Sequence, residues 1–299
     1  PDADAIGSAG GAVLILRDFG IKCSLLIEDP VPNFMMNLLP QGLLITTSQL
    51  AGEEVFLSVD AADLGRIGKS LVPIFSEAPA TFCLDHHISN PKFADFNFID
   101  ANSASAAQLV LRLAKEMGAS ISAAAASLLY AGLMDDTGCF RYSNTNSACL
   151  EDAAELVSYG ANPSAISQDL YYSKPVDLLR FRGYIASNSL SVSQNGKFAK
   201  CVAERSDIDK FQVDEDAISG LVEIARSVQG IWLAASLREK SEGEWRVSLR
   251  SVRGNIDVSK IALDFGGGGH KAASGFSMYG NRNEVESRLD AAIASALNG

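Results

Sequence analysis

The chain holds only three histidines, and all three sit in unusual company. His86 and His87 are adjacent at the end of the apolar run "TFCLDHH" (81–87), directly after Asp85, and His270 follows four glycines, Gly266, Gly267, Gly268 and Gly269. One carboxylate and two imidazoles at a segment end can bind a transition metal. A polar turn after a strand accounts for the same residues taken alone. The pattern recurs, however: Asp60 closes "VFLSVD", Asp135 and Asp136 close "LLYAGLMDD", and Asp2 and Asp4 open the chain in "PDADAIGS". In open parallel sheets, ligands gather at the carboxyl ends of strands. Delivered to one such rim, Asp2, Asp4, Asp60, His86 and Asp136 suggest a two-metal site with one aspartate bridging. Hydrolysis of a phosphoester needs a nucleophile at neutral pH and a sink for the charge on phosphorus. Two cations ~3.5 to 4 Å apart supply both. Mixed carboxylate and imidazole donors suit Mn²⁺ better than Mg²⁺, which prefers oxygen ligands and retained water. The glycine run lets backbone N–H groups approach a phosphate without Cβ obstruction. A flexible loop explains the glycines alone equally well, but His270 and Lys271 directly after them favour anion binding.

The elements that must position these residues show two grammars. In the first half, "CSLLIED" (23–29), "EVFLSVD" (54–60) and "TFCLDHH" (81–87) are short, apolar and not alternating, as strands buried on both faces are. Helical patterns over 5–19, 64–76, "SAAQLVLRLAKEMG" and "SAAAASLLYAGLMDD" separate or follow them. The small residues Ala5, Gly7, Ser8 and Ala9 are read as letting the first helix pack closely on the sheet. From 147 to 190 the pattern is helical only, with Pro163 and Pro175 near helix starts. Beyond it, Asn195-Gly196 and Gly243 each mark a hairpin, and helical stretches cover 215–228 and 282–297. The predicted fold is therefore α/β, a parallel sheet with helices on both faces, plus a smaller α+β C-terminal domain, with a cleft between them. The boundaries are 1–174 for the first domain, 175–190 for a connecting helix and 191–299 for the second domain.

Composition narrows the function classes. With 47% hydrophobic residues in 299, the chain can bury a real core. Its net charge of -11 argues against coating long nucleic acid, though not against a small anion held by local cations. No apolar run reaches the ~18 residues of a membrane span. Cys23, Cys83, Cys139, Cys149 and Cys201 form an odd, scattered set without a CxxC pair, as expected of reduced thiols in a cytoplasmic protein.

In order along the chain, "DADAIGSA", "VDAADLGRIG", "DHHISN", "DDTGCFRYSNT" and "GGGGHKAASGF" resemble the motifs of the DHH family of phosphoesterases with its DHH-associated C-terminal domain. The build is most similar to the members that degrade very short RNA and remove the 3'-phosphate of adenosine 3',5'-bisphosphate (pAp). The resemblance implies that Asp2, Asp4, Asp60, His86 and Asp136 ligate two divalent metal ions, with Asp60 bridging. It implies that His87, with Asp85 beside it, works near the substrate phosphate, and that Arg66 in "DLGRIG" adds a basic group there. Arg250 in "VSLRS" matches a phosphate-contacting position, and Gly266 to Gly269 with His270 match a substrate-binding loop. Tyr142 and Asn144 could touch a base or ribose, or hold a strand edge. The implied partners are short RNA or nucleotide phosphates, with a homodimer as a family-based expectation. A phosphodiesterase for cyclic or linear dinucleotides, or a degenerate nucleotide-binding protein without catalysis, are the alternatives. The family's first motif carries a His four residues before the first Asp. Here it would precede Pro1, so a metal-binding His and the strand leading into it are expected upstream.

Overall fold

The computed structural model describes residues 1–50, 52, 55–213, 218, 220–253 and 256–298. The chain divides into two units, Pro1–Ser173 and Lys174–Gly299. The first runs α1 (Ala3–Asp18), β1 (Leu25–Leu26), α2 (Asn33–Met36), β2 (Leu44–Ile45), β3 (Val55–Val59), α3 (Leu71–Ser76), β4 (Ala80–Asp85), β5 (Phe96–Ile99), α4 (Ala106–Glu116), α5 (Ala123–Asp136), α6 (Ser147–Ser158) and α7 (Pro163–Ser167). Helix starts follow side chains that accept an otherwise orphaned backbone N–H. Asp2 caps α1, Ser105 caps α4, Ser122 caps α5, Asn146 caps α6 and Asn162 caps α7. β3, β4 and β5 pair in parallel in that order, and β1 pairs in parallel with β2.

Several local expectations change. Only Leu25–Leu26 of "CSLLIED" is paired, and Glu54, the first residue of the predicted second strand, lies outside the described residues. The helix expected over 64–76 splits into a 3₁₀ turn, Leu64–Ile67, and α3, because Gly68 between them takes φ +114°. The strands are not buried on both faces throughout. Leu84 is buried where α4 packs on β4, whereas Phe82, one pleat earlier on the same face, stays 38% exposed. The glycines of α1 serve contact with a helix, although α1 also touches β3. Gly7 lies against the Leu128 carbonyl and Gly11 against the Leu129 side chain, so the close approach is to α5.

The second unit runs α8 (Val176–Asn188), β6 (Ser191–Val192), β7 (Phe198–Ala203), α9 (Arg205–Phe211), α10 (Val222–Arg226), β8 (Leu233–Ser241), β9 (Glu244–Ser251), α11 (Val258–Asp264), β10 (Gly268–Gly269), β11 (Ala273–Tyr279) and α12 (Arg282–Asn298). Both predicted hairpins form, with Gly196 at φ +69° and Gly243 at φ +72°. α10 occupies part of the helix predicted over 215–228, of which 215–217 and 219 lie outside the described residues. The sheet order is β10-β11-β9-β8-β7-β6, and only the β7–β8 pair is parallel. Alternation along the strands makes two cores. Leu237, Trp245, Val247 and Phe276 pack with α11 and α12, while Ala199, Cys201 and Ala234 pack with α8 and α10. Leu178, Phe181 and Ile185 of α8 are buried in this second core. Among the described residues no helix is long and apolar enough to cross a membrane.

Candidate metal centre

Four elements deliver acidic or imidazole groups to one place. Asp4 comes from the first turn of α1, Asp60 follows β3, Asp85 ends β4 with His86 and His87 after it, and Asp136 ends α5. His86 is central. Its Nε2 lies 3.1 Å from Asp136 Oδ2, 3.3 Å from Asp60 Oδ1 and 3.9 Å from Asp4 Oδ2, and its Nδ1 lies 3.4 Å from the Ser103 carbonyl. The Ser103 contact directs Nε2 at the carboxylates, as a ring nitrogen anchored to a carbonyl does in metal sites.

Each carboxylate is held by a nearby element. Asp4 is fully buried and accepts the Ala106 N–H at 2.6 Å and the Ala107 N–H at 3.0 Å, so the positive N-terminal end of α4 fixes it. Gly132 of α5 makes room, because a Cβ there would stand 2.6 Å from Asp4 Oδ1. Asp60 takes a left-handed backbone, φ 58°, while its N–H donates to the Leu84 carbonyl. Such a conformation is tolerated by Asp better than by most residues and is concentrated at functional sites. The Asp136 carbonyl accepts from Asn144 Nδ2 at 3.1 Å, and the same nitrogen donates to the Ala104 carbonyl at 3.0 Å.

The electrostatics describe a site made for a cation. Burial pushes Asp60 up to about 7, and burial with neighbouring Asp60 and Asp136 holds Asp4 well above the usual carboxylate range. Burial opposes the charged form of His86, yet Asp136, Asp60 and Asp4 prevail and raise it to about 12. Asp60 Oδ1 is buried and accepts no well-formed hydrogen bond. Ligand atoms of Asp4, His86 and Asp136 lie within 4.8 Å of one another, as do those of Asp60, Asp85, His86 and His87. This orphaned oxygen and these oxygen-plus-imidazole sets fit a divalent ion.

Asp85 is spent differently. Its Oδ1 accepts from the His86 N–H at 2.8 Å and lies 2.7 Å from His87 Nδ1, and its Oδ2 accepts from Asn90 Nδ2 at 2.7 Å. Burial would raise its pKa, but the His87 and Asn90 contacts outweigh this and lower it. Asp85 therefore orients His87, with Asn90 behind it.

Residues 1–133 match the DHH family, N-terminal domain, and residues 195–298 match the DHHA1 domain. The bifunctional oligoribonuclease and PAP phosphatase NrnA of Thermus thermophilus is 31% identical over 94% of this chain and 82% of its own length. The chain belongs to the DHH family. The NrnA protein of Bacillus subtilis is 29% identical over 93% of the chain and 87% of its own. A crystal structure of an exopolyphosphatase-related protein from Bacteroides fragilis superposes with a TM-score of 0.90 at 27% identity, covering 99% of this chain and 89% of that one. The chain is a DHH phosphoesterase, a family that uses divalent metal ions, and its acidic and imidazole cluster could hold such an ion.

Other predicted site residues of this DHH protein lie as follows. Asp2 caps α1, its carboxylate accepting the Ala5 N–H at 3.0 Å, and it stands outside the two tight ligand groups. Arg66 is exposed and pairs with Asp63 at 3.4 Å, not with the centre's carboxylates. Tyr142 lies against Gly138 in the turn after α5, and Asn144 clamps two carbonyls; no strand edge is there to hold. In the second unit, Arg250 pairs in register with Ala273 and with Ala234. Gly266 and Gly267 donate to the Leu263 and Ala262 carbonyls at the end of α11, while Gly268 and Gly269 enter the β10–β11 pairing. Close packing explains part of that run: Gly269 takes φ +137°, and a Cβ there would meet the Ala273 carbonyl at 2.6 Å. The His270 N–H donates to the Ala273 carbonyl at 2.7 Å. Sequence reasoning missed Asn90 and the α4 N-terminus; Asn90 stood within the quoted "DHHISN".

Proposed function

We propose that this DHH phosphoesterase hydrolyses short oligoribonucleotides and the 3'-phosphate of pAp, using two divalent ions, Mn²⁺ in preference to Mg²⁺. The carrying observation is the convergence of Asp4, Asp60 and Asp136 on His86 Nε2 at 3.1 to 3.9 Å, with Asp60 Oδ1 buried and accepting no well-formed hydrogen bond. The substrate class rests on the relatives named for oligoribonucleotides and PAP. Asp4, His86 and Asp136 would hold one ion, and Asp60 would reach toward both positions, with Asp2 closing the set. Bound divalent ions supply charge neutralisation at phosphorus and an activated water.

The chain's own residues do the rest. α4 keeps the Asp4 carboxylate aimed through the Ala106 and Ala107 N–H groups. Asp85 fixes the His87 ring through Nδ1, leaving Nε2 to donate to, or accept from, an oxygen of the substrate. Arg250, the glycine run and His270 contribute phosphate binding, and Arg66 is retained as a weaker candidate for the same task. The proposed setting is the cytoplasm, where such substrates arise, with action on neither long nucleic acid nor membrane and a homodimer as the proposed assembly.

The test is hydrolysis of a two- to five-nucleotide RNA, and of pAp, by the wild type with Mn²⁺ and with chelator. Turnover should need the metal and fall by orders of magnitude in His86→Ala. Full activity of that variant, or metal-independent turnover, would sink the proposal.

A further inference from the structure

A buried polar network lies behind the metal centre and has no part in the ligand set. Ser105 at the N-cap of α4 and Gln108 three residues on have the sequence of a capping box, in which the longer side chain accepts the N-cap's own N–H. Ser105 keeps its half, its Oγ accepting the Gln108 N–H at 3.2 Å. Gln108 departs from the pattern. Its Oε1 accepts the Ala104 N–H at 2.9 Å, one residue upstream of the N-cap, and lies 3.0 Å from Ser103 Oγ. Because Oε1 faces that N–H, Nε2 points the other way and donates to Asp152 Oδ2 of α6 at 2.5 Å. Gln108 is 1% exposed and Asp152 8%, so the network is built inside the fold, where unmet donors and acceptors are costly. The stretch it holds serves two side chains of the centre in opposite senses. The Ser103 carbonyl faces His86 Nδ1 at 3.4 Å, while the Ala106 and Ala107 N–H groups hold Asp4.

We propose that Gln108 and Asp152 are positioning residues of the metal centre: by holding residues 103–106, they fix the His86 ring and the Asp4 carboxylate relative to each other. A helix cap needs only a local partner, and Gln108 could supply one to Ser105. It instead ties the start of α4 to α6, 44 positions away. An ionised carboxylate accepts and cannot donate. Asp152 therefore admits one orientation of the Gln108 amide, the one that presents Oε1 to Ala104. Asn144 ties the same stretch to α5, donating to both the Ala104 and the Asp136 carbonyls. Asp4, His86 and Asp136 come from three separate parts of the chain, and all three are referred to this one short loop. A displaced Ser103 carbonyl would turn the His86 ring away from the carboxylates, and outer partners of metal-ligating histidines govern affinity in this way. The inference rests on the metal-centre reading above and adds to it the residues that set its geometry.

The readout is Mn²⁺ binding to the full chain by calorimetry, without substrate, with variants compared at equal folded fraction from urea denaturation. Gln108→Leu keeps the bulk of the side chain and removes its hydrogen bonds, so Mn²⁺ affinity should fall by about ten-fold or more. Leu156→Ala is the control. It loosens α6 one turn beyond Asp152, where Leu156 is buried, without touching the network, and it should destabilise the fold while leaving Mn²⁺ affinity close to that of the wild type. A merely structural role for Gln108 would move stability in both variants and Mn²⁺ affinity in neither. A loss under about ten-fold in Gln108→Leu, or a loss in Leu156→Ala as large as that in Gln108→Leu, overturns the positioning role. If Gln108→Leu does not fold, Asp152→Ala decides alone: it should weaken Mn²⁺ binding at least about three-fold, and a smaller loss overturns the role. No Mn²⁺ binding by the wild type rejects the metal reading and this inference with it. Wild-type binding that Gln108→Leu leaves unchanged rejects the positioning role alone. The predicted binding without turnover of short RNA by the metal-loaded wild type rejects the hydrolytic reading alone.

Discussion

Asp4, Asp60 and His86 all hold protons more tightly in the fold than free side chains do, because burial and mutual charge disfavour three or four bare carboxylates. A raised carboxyl loses its contribution to stability as pH climbs from its unfolded value toward its folded one, from about 4 to about 7 for Asp60. The raised His86 continues the same trend above its ordinary value of 6.5. The chelated protein should therefore show a melting temperature that falls as pH rises from about 5 to about 9. A divalent ion replaces those protons, so Mn²⁺ should raise the melting temperature more at pH 8 than at pH 6. Differential scanning fluorimetry checks this, and a metal effect that shrinks with rising pH would contradict the ligand set. Asn90 offers a second residue-scale prediction. Its side chain holds Asp85, which holds His87, and among the described residues the hydrogen bonds it donates go to Asp85, Ala61 and Cys83 and to none of Asp4, Asp60, His86 and Asp136. Asn90→Ala should lower kcat by about 10- to 100-fold with metal content unchanged by elemental analysis. Loss of metal in that variant would move Asn90's role to the metal centre itself.

Among the elements, the crossing of α1 and α5 sets where Asp4 and Asp136 meet. Glycines permit that crossing: Gly7 against the Leu128 carbonyl, and Gly132 against Asp4. Alanine raises intrinsic helix propensity by about 1 kcal/mol over glycine, but forcing a methyl into a packed contact costs about 1–3 kcal/mol. Backbone against backbone cannot yield by rotating a side chain, so packing wins at Gly7. Gly7→Ala should destabilise the protein by about 2 kcal/mol in urea denaturation. Gly132→Ala should do so as well and, unlike Gly7→Ala read at equal folded fraction, weaken Mn²⁺ binding, because its methyl presses on Asp4. Equal Mn²⁺ affinity in both variants would show that Asp4 is not shaped by α5.

At the scale of the whole molecule, charge decides what kind of polymer can be held. A net charge of -11 argues against an extended basic track, and the Arg226 and Arg250 pair at Glu223 is a local gathering of basic groups. A short substrate should then release few counterions. The slope of log affinity against log salt for a trinucleotide should be no steeper than about -2, from about three neutralised phosphates on a single strand. A 24-nucleotide RNA should inhibit trinucleotide hydrolysis no better than its own ends allow. A steep salt slope, or strong inhibition by long RNA, would reveal a track that the charge distribution does not display.

Residue type at segment ends made much of this readable in one dimension. Asp4, Asp60, His86 and Asp136 could be picked out because metal ligation admits few side chains, and hairpins at Gly196 and Gly243 because a left-handed turn favours glycine. β5 and β11 went unseen because "FNFI" and "ASGFSMY" are short or mixed, and pairing with neighbours, not pattern, makes them strands. The partner of Arg66, Asp63, was not foreseen, since a long exposed side chain takes whichever partner the local turn offers. The acidic and imidazole side chains that meet around His86, and their order along the chain, were thus determined by the sequence itself. Only the tertiary structure decided that α4 holds Asp4, that Asp85 serves His87, and that Arg226 and Arg250 share one carboxylate. Those pairings join residues as far as 103 positions apart, and a hydrogen bond tolerates errors of only a few tenths of an ångström, a tolerance that close packing meets and linear spacing does not encode.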